Sequence, residues 1–316
     1  MRWRISTGFS HGNQRLFTVD VSLGVTHNNC MHVITDKACL AYSQDGHPER
    51  PQRIADTLKL LREQEELKIT WDKPTKVDDK TIEQAHTLEH THLVSNPFEP
   101  FDGDTPAYPN IDSHARRSIG GALRALELAK EDKPNFSLLR PPGHHATKEK
   151  SMGFCFFNSI AIAVLTARAA GTKKVAVFDF DIHHGNGTED ILHKVEGTTF
   201  ISIHQHPAYP GTGTKSSDNC HNFTVAPDSS NLIWRKAASA ALKEMNNFDP
   251  DLICVSAGFD AYKKDPLCQQ QLEIDDYQWI GQQLRSLNKP MANILEGGYS
   301  DDLPKLIFAY LKGILK

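Results

Sequence analysis

Residues 175–190, VAVFDFDIHHGNGTED, begin as a continuous apolar run and end in Asp179, Asp181, His183 and His184, followed by Gly185, Asn186 and Gly187. A buried strand gains nothing from two carboxylates and two imidazoles at its tip unless they do chemistry. Side chains two apart on an extended segment share a side, so Asp181 and His183 can grip one ion together. Asp179 is in phase with them, one step deeper, and Ile182 faces the other way into packing. The glycines let the backbone turn sharply beside the site. A third ligand must come from elsewhere, and Asp260 in SAGFDA is the best candidate. Two carboxylates and one imidazole leave a coordination position open, which is how catalytic zinc differs from structural zinc. A buried ion pair in a turn is the plainer reading, but it gives the neighbouring histidine pair no purpose.

Two other segments carry complementary chemistry. RPPGHHA holds the adjacent His144 and His145 on a proline-set turn. One can take a proton from a water, and the other can donate to an intermediate or leaving group. Asp179 is suited to hold one imidazole by its other nitrogen and raise its basicity. In LEGGYS, two glycines precede Tyr299, a layout for a close-approaching loop whose phenol can stabilise an oxyanion. Two solvated histidines and a half-buried loop aromatic are the plainer readings of these segments taken singly.

The elements that must position these residues read as α/β. Strands are expected at His32–Thr35, Phe136–Leu139, Lys174–Phe180, Thr199–His204, Leu252–Ser256 and Ala292–Leu295. Helical patterns fall near Glu49–Glu66, Ser113–Lys130, Asn158–Ala170, Leu232–Met245, Asp275–Leu287 and Asp302–Gly313. Such alternation implies parallel pairing through right-handed crossovers. Five of the strands end in polar, chemically able residues: the histidine pair, the Asp179 group, His204, Asp260 and Tyr299. In open parallel sheets ligands bind at the strands' carboxyl ends, so these five ends are expected to converge on one crevice.

Composition bounds the function classes. The chain has 316 residues, 39% hydrophobic and 23% charged, with a net charge of −4. Nothing in this balance suggests electrostatic capture of nucleic acid or an anionic membrane, and no apolar run approaches a membrane span. The six cysteines contain no CxxC pair, which points to reduced thiols in a cytoplasmic protein. Residues 1–30 fit the pattern less well: they read as an N-terminal extension, an upstream start or an edge hairpin around Leu16–Val25. Residues 31–316 read as one catalytic domain.

HPERPQR, RPPGHHA, GFCFFNSIAIA, DFDIHHGNGTE, HPAYPGTG, SAGFDA and LEGGYS occur in this order. Together they resemble the zinc-dependent histone deacetylase family, on the side of the class II enzymes and their bacterial relatives, from about His32 to the C-terminus. The resemblance implies an arginase-like α/β fold, a three-layer sandwich with a mostly parallel sheet of about eight strands. It implies a metal held by Asp181, His183 and Asp260, with zinc expected and Fe(II) also compatible. His145 would be the general base, and His144 its electrostatic partner oriented by Asp179. Asn186 would face His145, where many members have aspartate and class II has asparagine. Tyr299 would polarise the acyl carbonyl; vertebrate members with weak activity have histidine there. Gly153, Phe154 and Tyr209 would line a narrow lysine tunnel. Potassium would bind through groups matching Asp179, Asp181, His183, Ser202 and Ile203.

The reaction implied is hydrolysis of N6-acetyl-lysine in a protein or peptide to lysine and acetate. Arginase shares the fold but binds two manganese ions and needs more carboxylates. An acetylpolyamine amidohydrolase has the same catalytic set and is the serious alternative. A non-catalytic acyl-lysine reader is disfavoured by Tyr299 and the intact histidine pair. In polyamine-selective relatives a glutamate can stand at the pocket mouth seven residues after the metal-binding aspartate; here that position, counted from Asp260, is Leu267. A buried loop anchor is the plainer reading of Leu267.

Overall fold

The computed structural model of the chain describes residues 30–315. The suggested hairpin at 16–25 lies outside the described residues. Strand β1 (Cys30–Ile34) leads through α1 (Gln52–Glu63) to β2 (Lys68–Asp72). Then come α2 (Asp79–Ile82), α3 (Leu88–Ser95), α4 (Ile111–Lys130), β3 (Asn135–Ser137), α5 (Ser159–Ala169), β4 (Val175–Asp179), α6 (Asn186–Leu192), β5 (Thr198–Gln205) and β6 (Cys220–Val225). The chain closes with β7 (Ser229–Ser230), α7 (Asn231–Phe248), β8 (Leu252–Ala257), β9 (Gln270–Gln271), α8 (Ile274–Ser286), β10 (Met291–Leu295) and α9 (Leu303–Leu315).

Eight strands form one sheet in the order β2-β1-β3-β10-β8-β4-β5-β6, and every neighbouring pair is parallel. β7 and β9 pair separately. Helices α4 and α5 pack together against the sheet, while α1, α9, α8 and α7 contact one another in series as a second layer. A parallel strand covered on both faces must be apolar on both sides. VAVFD of β4 and LICVSA of β8 are accordingly buried at every position. The edge strand β2, KITWD, has no buried residue.

β3 and β4 follow each other among the sheet's strands, yet β10 and β8 lie between them. The strand order therefore reverses at the centre, where open sheets form their ligand crevice. Register aligns the tips: Asp179 of β4 is opposite Ser202 of β5 and Ser256 of β8, and Ala257 is opposite Leu295.

The six expected strands and six expected helices are all present, with ends shifted by a few residues. β2, β6 and the short helices α2, α3 and α6 were not expected. The strand expected to run to Phe180 stops at Asp179, so Asp181 and His183 lie just beyond β4 in irregular chain.

Candidate active site

Asp181, His183 and Asp260 are the group of potential metal donors found among the described residues, with one ligand atom from each within 4.8 Å of the others. They meet through turns rather than through strand periodicity. The His183 backbone N–H donates to Asp181 Oδ1 (2.9 Å), and the Ile182 N–H donates to Asp260 Oδ1 (2.9 Å). His183 Nδ1 then sits 2.9 Å from Asp260 Oδ2 and 3.4 Å from Asp181 Oδ1. Ile182 is fully buried on the packing side.

The electrostatics of this group suit a cation. Burial opposes ionisation of Asp181, but His144 and His183 outweigh it and hold that carboxyl far below its usual range. Burial and the Asp181 charge push the Asp260 carboxyl up. His183 is pushed up, because Asp260 and Asp181 together overcome the burial that would discharge it. Two buried carboxylates compete for one imidazolium, and a dication in the same space satisfies both. The hard oxygens and one imidazole suit zinc or Fe(II).

The histidine pair lies beside this group. The His144 and His145 ring centroids are 4.0 Å apart, and both residues are buried rather than exposed at a rim. His144 Nδ1–H donates to Asp179 Oδ2 (3.1 Å), and Asn186 Oδ1 accepts from His145 Nδ1–H (2.7 Å). The two environments push the rings apart. At His144, burial disfavours the imidazolium, but the Asp181 and Asp179 carboxylates prevail and raise it to about 10. At His145, burial, His144 and His183 lower it well below the ordinary value. One ring is held as a cation and its neighbour as a neutral base, the pattern of an assigned acid and base. Burial raises Asp179 itself to about 6.

Gly185 sits at the sharp turn expected beside the site, with the Asn186 N–H donating to the His184 carbonyl across it (2.8 Å), and both glycines also serve close approach. A Cβ on Gly185 would stand 2.3 Å from Asp179 Oδ2, and one on Gly187 would stand 2.2 Å from the Ala146 carbonyl oxygen. Asn158 ties the histidine turn down: its side chain caps α5 through the Ala161 N–H and donates to the Ala146 carbonyl.

The Tyr299 loop closes another side. The Gly297 N–H donates to Asp181 Oδ2 (2.7 Å), and Tyr299 itself is 8% exposed. Arg53 donates to the Glu296 and Gly298 carbonyls (2.5 and 2.7 Å) and lies 4.8 Å over the tyrosine ring. Phe154 meets the same ring edge-on at 5.6 Å. Tyr209 reaches from the surface, 39% exposed, to a perpendicular contact with His145 at 5.1 Å. Gly153 fits between them, since a Cβ there would lie 2.6 Å from His145 Cδ2 and 3.0 Å from Tyr209 Cε1. Leu267 is 38% exposed beside Tyr299, in a groove of about 570 Å³ shared with residues 43–48 and 50–52. It is thus not the buried anchor of its plainer reading.

One strand end departs from expectation. His204 is fully buried, bonded to Ser202 Oγ and the Gly213 carbonyl, and packed at a tilt against His184, with ring centroids 4.6 Å apart. It belongs to a separate histidine pair braced by Glu189.

Several supporting residues carried no role in the sequence reading. Glu296 is fully buried and accepts from the Gly143 and His144 N–H groups (2.7 and 3.2 Å), with burial raising its carboxyl to about 7. Glu49 binds Arg140 through both oxygens at 2.6 Å and also receives Arg53 and Tyr42. The signal was present in HPERPQR, RPPGHHA and LEGGYS, where charged residues sit next to apolar elements.

Two buried carboxylates and one buried imidazole, gathered at the carboxyl ends of a doubly wound parallel sheet, fit the class of metal-dependent hydrolases. The family model described as histone deacetylase domain matches residues 47–313. The chain is 36% identical over 293 residues to a probable deacetylase of Methanothermobacter thermautotrophicus, covering 86% of this chain and 87% of that one. It is 35% identical over 214 residues to acetylpolyamine amidohydrolase 1 of Pseudomonas aeruginosa, covering 64% of this chain and 62% of that one. The crystal structure of the HDA15 HD domain superposes with a TM-score of 0.84 at 32% identity, covering 91% of this chain and 90% of that one. The chain belongs to the histone deacetylase family and is an amidohydrolase with its arginase-like fold.

Proposed function

We propose that this protein is a zinc-dependent deacetylase that hydrolyses the amide of N6-acetyl-lysine in proteins or peptides. The observation that carries the chemistry is the split histidine pair against the Asp181–His183–Asp260 group. When bound there, zinc would polarise the acyl carbonyl and lower the pKa of a water toward 7. His145, with Nδ1–H committed to Asn186, offers Nε2 as the acceptor for the water's proton. His144, held by Asp179, supplies positive charge beside it. The Tyr299 hydroxyl, whose proton burial secures, donates to the developing oxyanion. The amine leaves with a proton from a histidine, giving acetate and lysine. Gly153, Phe154 and Tyr209 form the tunnel wall. Potassium through Asp179, Asp181, His183, Ser202 and Ile203 remains part of this reading; the Asp179–Ser202 register across β4 and β5 supports it. The soluble cytoplasmic setting is likewise proposed; among the described residues no helix is long and apolar enough to cross a membrane.

Leu267 supports lysine over polyamine, since an uncharged rim leaves a distant ammonium unpaired while packing on an aliphatic stem. The acetylpolyamine reading is favoured by a different observation. Asp102 and Asp104 adjoin the mouth: the Gly153 N–H donates to Asp102 Oδ2, and both carboxylates act on Tyr209. The test compares kcat/KM for acetyl-lysine peptides with that for N-acetylputrescine and N-acetylspermidine, before and after chelation. Higher values for the peptides, lost on chelation, are expected; a clear preference for the acetylpolyamines overturns the lysine assignment.

A further inference from the structure

Asp265 is a buried acid that the mechanism above does not use. It is 7% exposed and, among the described residues, forms no ion pair. Such a carboxylate is costly to bury unless its oxygens are satisfied. They are satisfied by backbone alone. Oδ1 accepts from the Leu267 N–H (3.0 Å), and Oδ2 accepts from the N–H groups of Tyr299 (2.7 Å) and Ser300 (3.3 Å). Its own N–H is tied to the Tyr262 carbonyl at 2.8 Å.

The Tyr299 loop is rich in glycine and fixed by contacts. Gly298 has φ +116, a conformation that L side chains rarely adopt. Arg53 holds the carbonyls of Glu296 and Gly298, and Asp181 holds the Gly297 N–H. Of these anchors, only Asp265 binds the amide of Tyr299 itself. A phenol that must meet an oxyanion within a few tenths of an ångström depends on where its own backbone stands.

We infer that Asp265 is a positioning residue for Tyr299, and that its carboxylate links the rim residue Leu267 to the tyrosine loop. The inference rests on the amidohydrolase reading of the site. Asp265→Asn keeps the shape but turns an NH2 group toward at least one of the three N–H donors. The test is a double-mutant cycle with Tyr299→Phe, on the faster of an acetyl-lysine peptide and N-acetylputrescine. Asp265→Asn alone is expected to lower kcat by about 10- to 100-fold with KM changed less than about twofold. In the Tyr299→Phe background the same change should alter kcat by less than about twofold, because the two act as a unit. Equal losses in both backgrounds, or a loss confined to KM, overturn the inference. Backbone hydrogen exchange supplies a readout that does not depend on turnover. The Tyr299 and Ser300 amides should exchange faster in Asp265→Asn, while the Gly297 amide, held by Asp181, keeps its wild-type rate. Unchanged exchange at Tyr299 also overturns it. A wild-type enzyme inactive on both substrates would instead refute the proposed function and leave the exchange result to decide the role of Asp265. If Asp265→Asn does not fold, Asp265→Glu, which keeps the charge but displaces the oxygens, is read in the same cycle and exchange measurement.

Discussion

His144 and His145 are chemically identical and adjacent, yet their surroundings favour opposite charge states. Asp181 and Asp179 hold one charged, while burial, His144 and His183 discharge the other, whose Nδ1–H is accepted by the neutral Asn186 amide. An aspartate at 186 would draw the two rings closer together in basicity, so asparagine sharpens the division. In the proposed mechanism His145 and Tyr299 act on the transition state, so His145→Ala and Tyr299→Phe should each lower kcat by about 10²- to 10⁴-fold with little rise in KM. Steady-state kinetics on an acetyl-lysine peptide checks this; a Tyr299→Phe enzyme at the wild-type rate would remove the oxyanion role.

Loops rather than regular elements carry the site, and that explains what was legible in the sequence. The apolar runs of β4, β8 and β10 announce themselves because both faces are covered. β2 and β6 lie at the sheet's edges with half-polar sequences, so periodicity could not separate them from loop. The motif order and the donor residues were readable, but the reason for their approach was not. Asp181 and His183 meet through backbone-to-carboxylate turns, and His204 is drawn into another network. Long-range anchors such as Glu49 on Arg140 and Asp265 on Tyr299 cannot be read from spacing at all. Two predictions belong to this scale. Glu49→Gln leaves the fully buried Arg140 without its counter-charge and should cost about 3–5 kcal/mol in chemical denaturation. A loss under about 1 kcal/mol would mean that the carbonyls of Cys39 and Tyr42 suffice for Arg140. Leu267→Glu should narrow the peptide-to-polyamine ratio of kcat/KM by giving the groove a charge for a distant ammonium; an unchanged ratio would remove Leu267 from the recognition rim.

At the scale of the whole molecule, one topological fact organises the rest. β8 and β10 return between β3 and β4, so Asp260 and Tyr299, distant in sequence, arrive beside Asp181 and the histidine pair. The sheet thereby concentrates two acids at one buried point, a costly arrangement that a bound dication would offset. Metal and turnover should therefore stand or fall together. The direct measurement is metal content per chain beside kcat for the wild type and Asp260→Ala, both shown to be folded. The account predicts about one divalent ion per wild-type chain, and loss of both metal and activity in the variant. Stoichiometric metal in a fully active Asp260→Ala enzyme would contradict it.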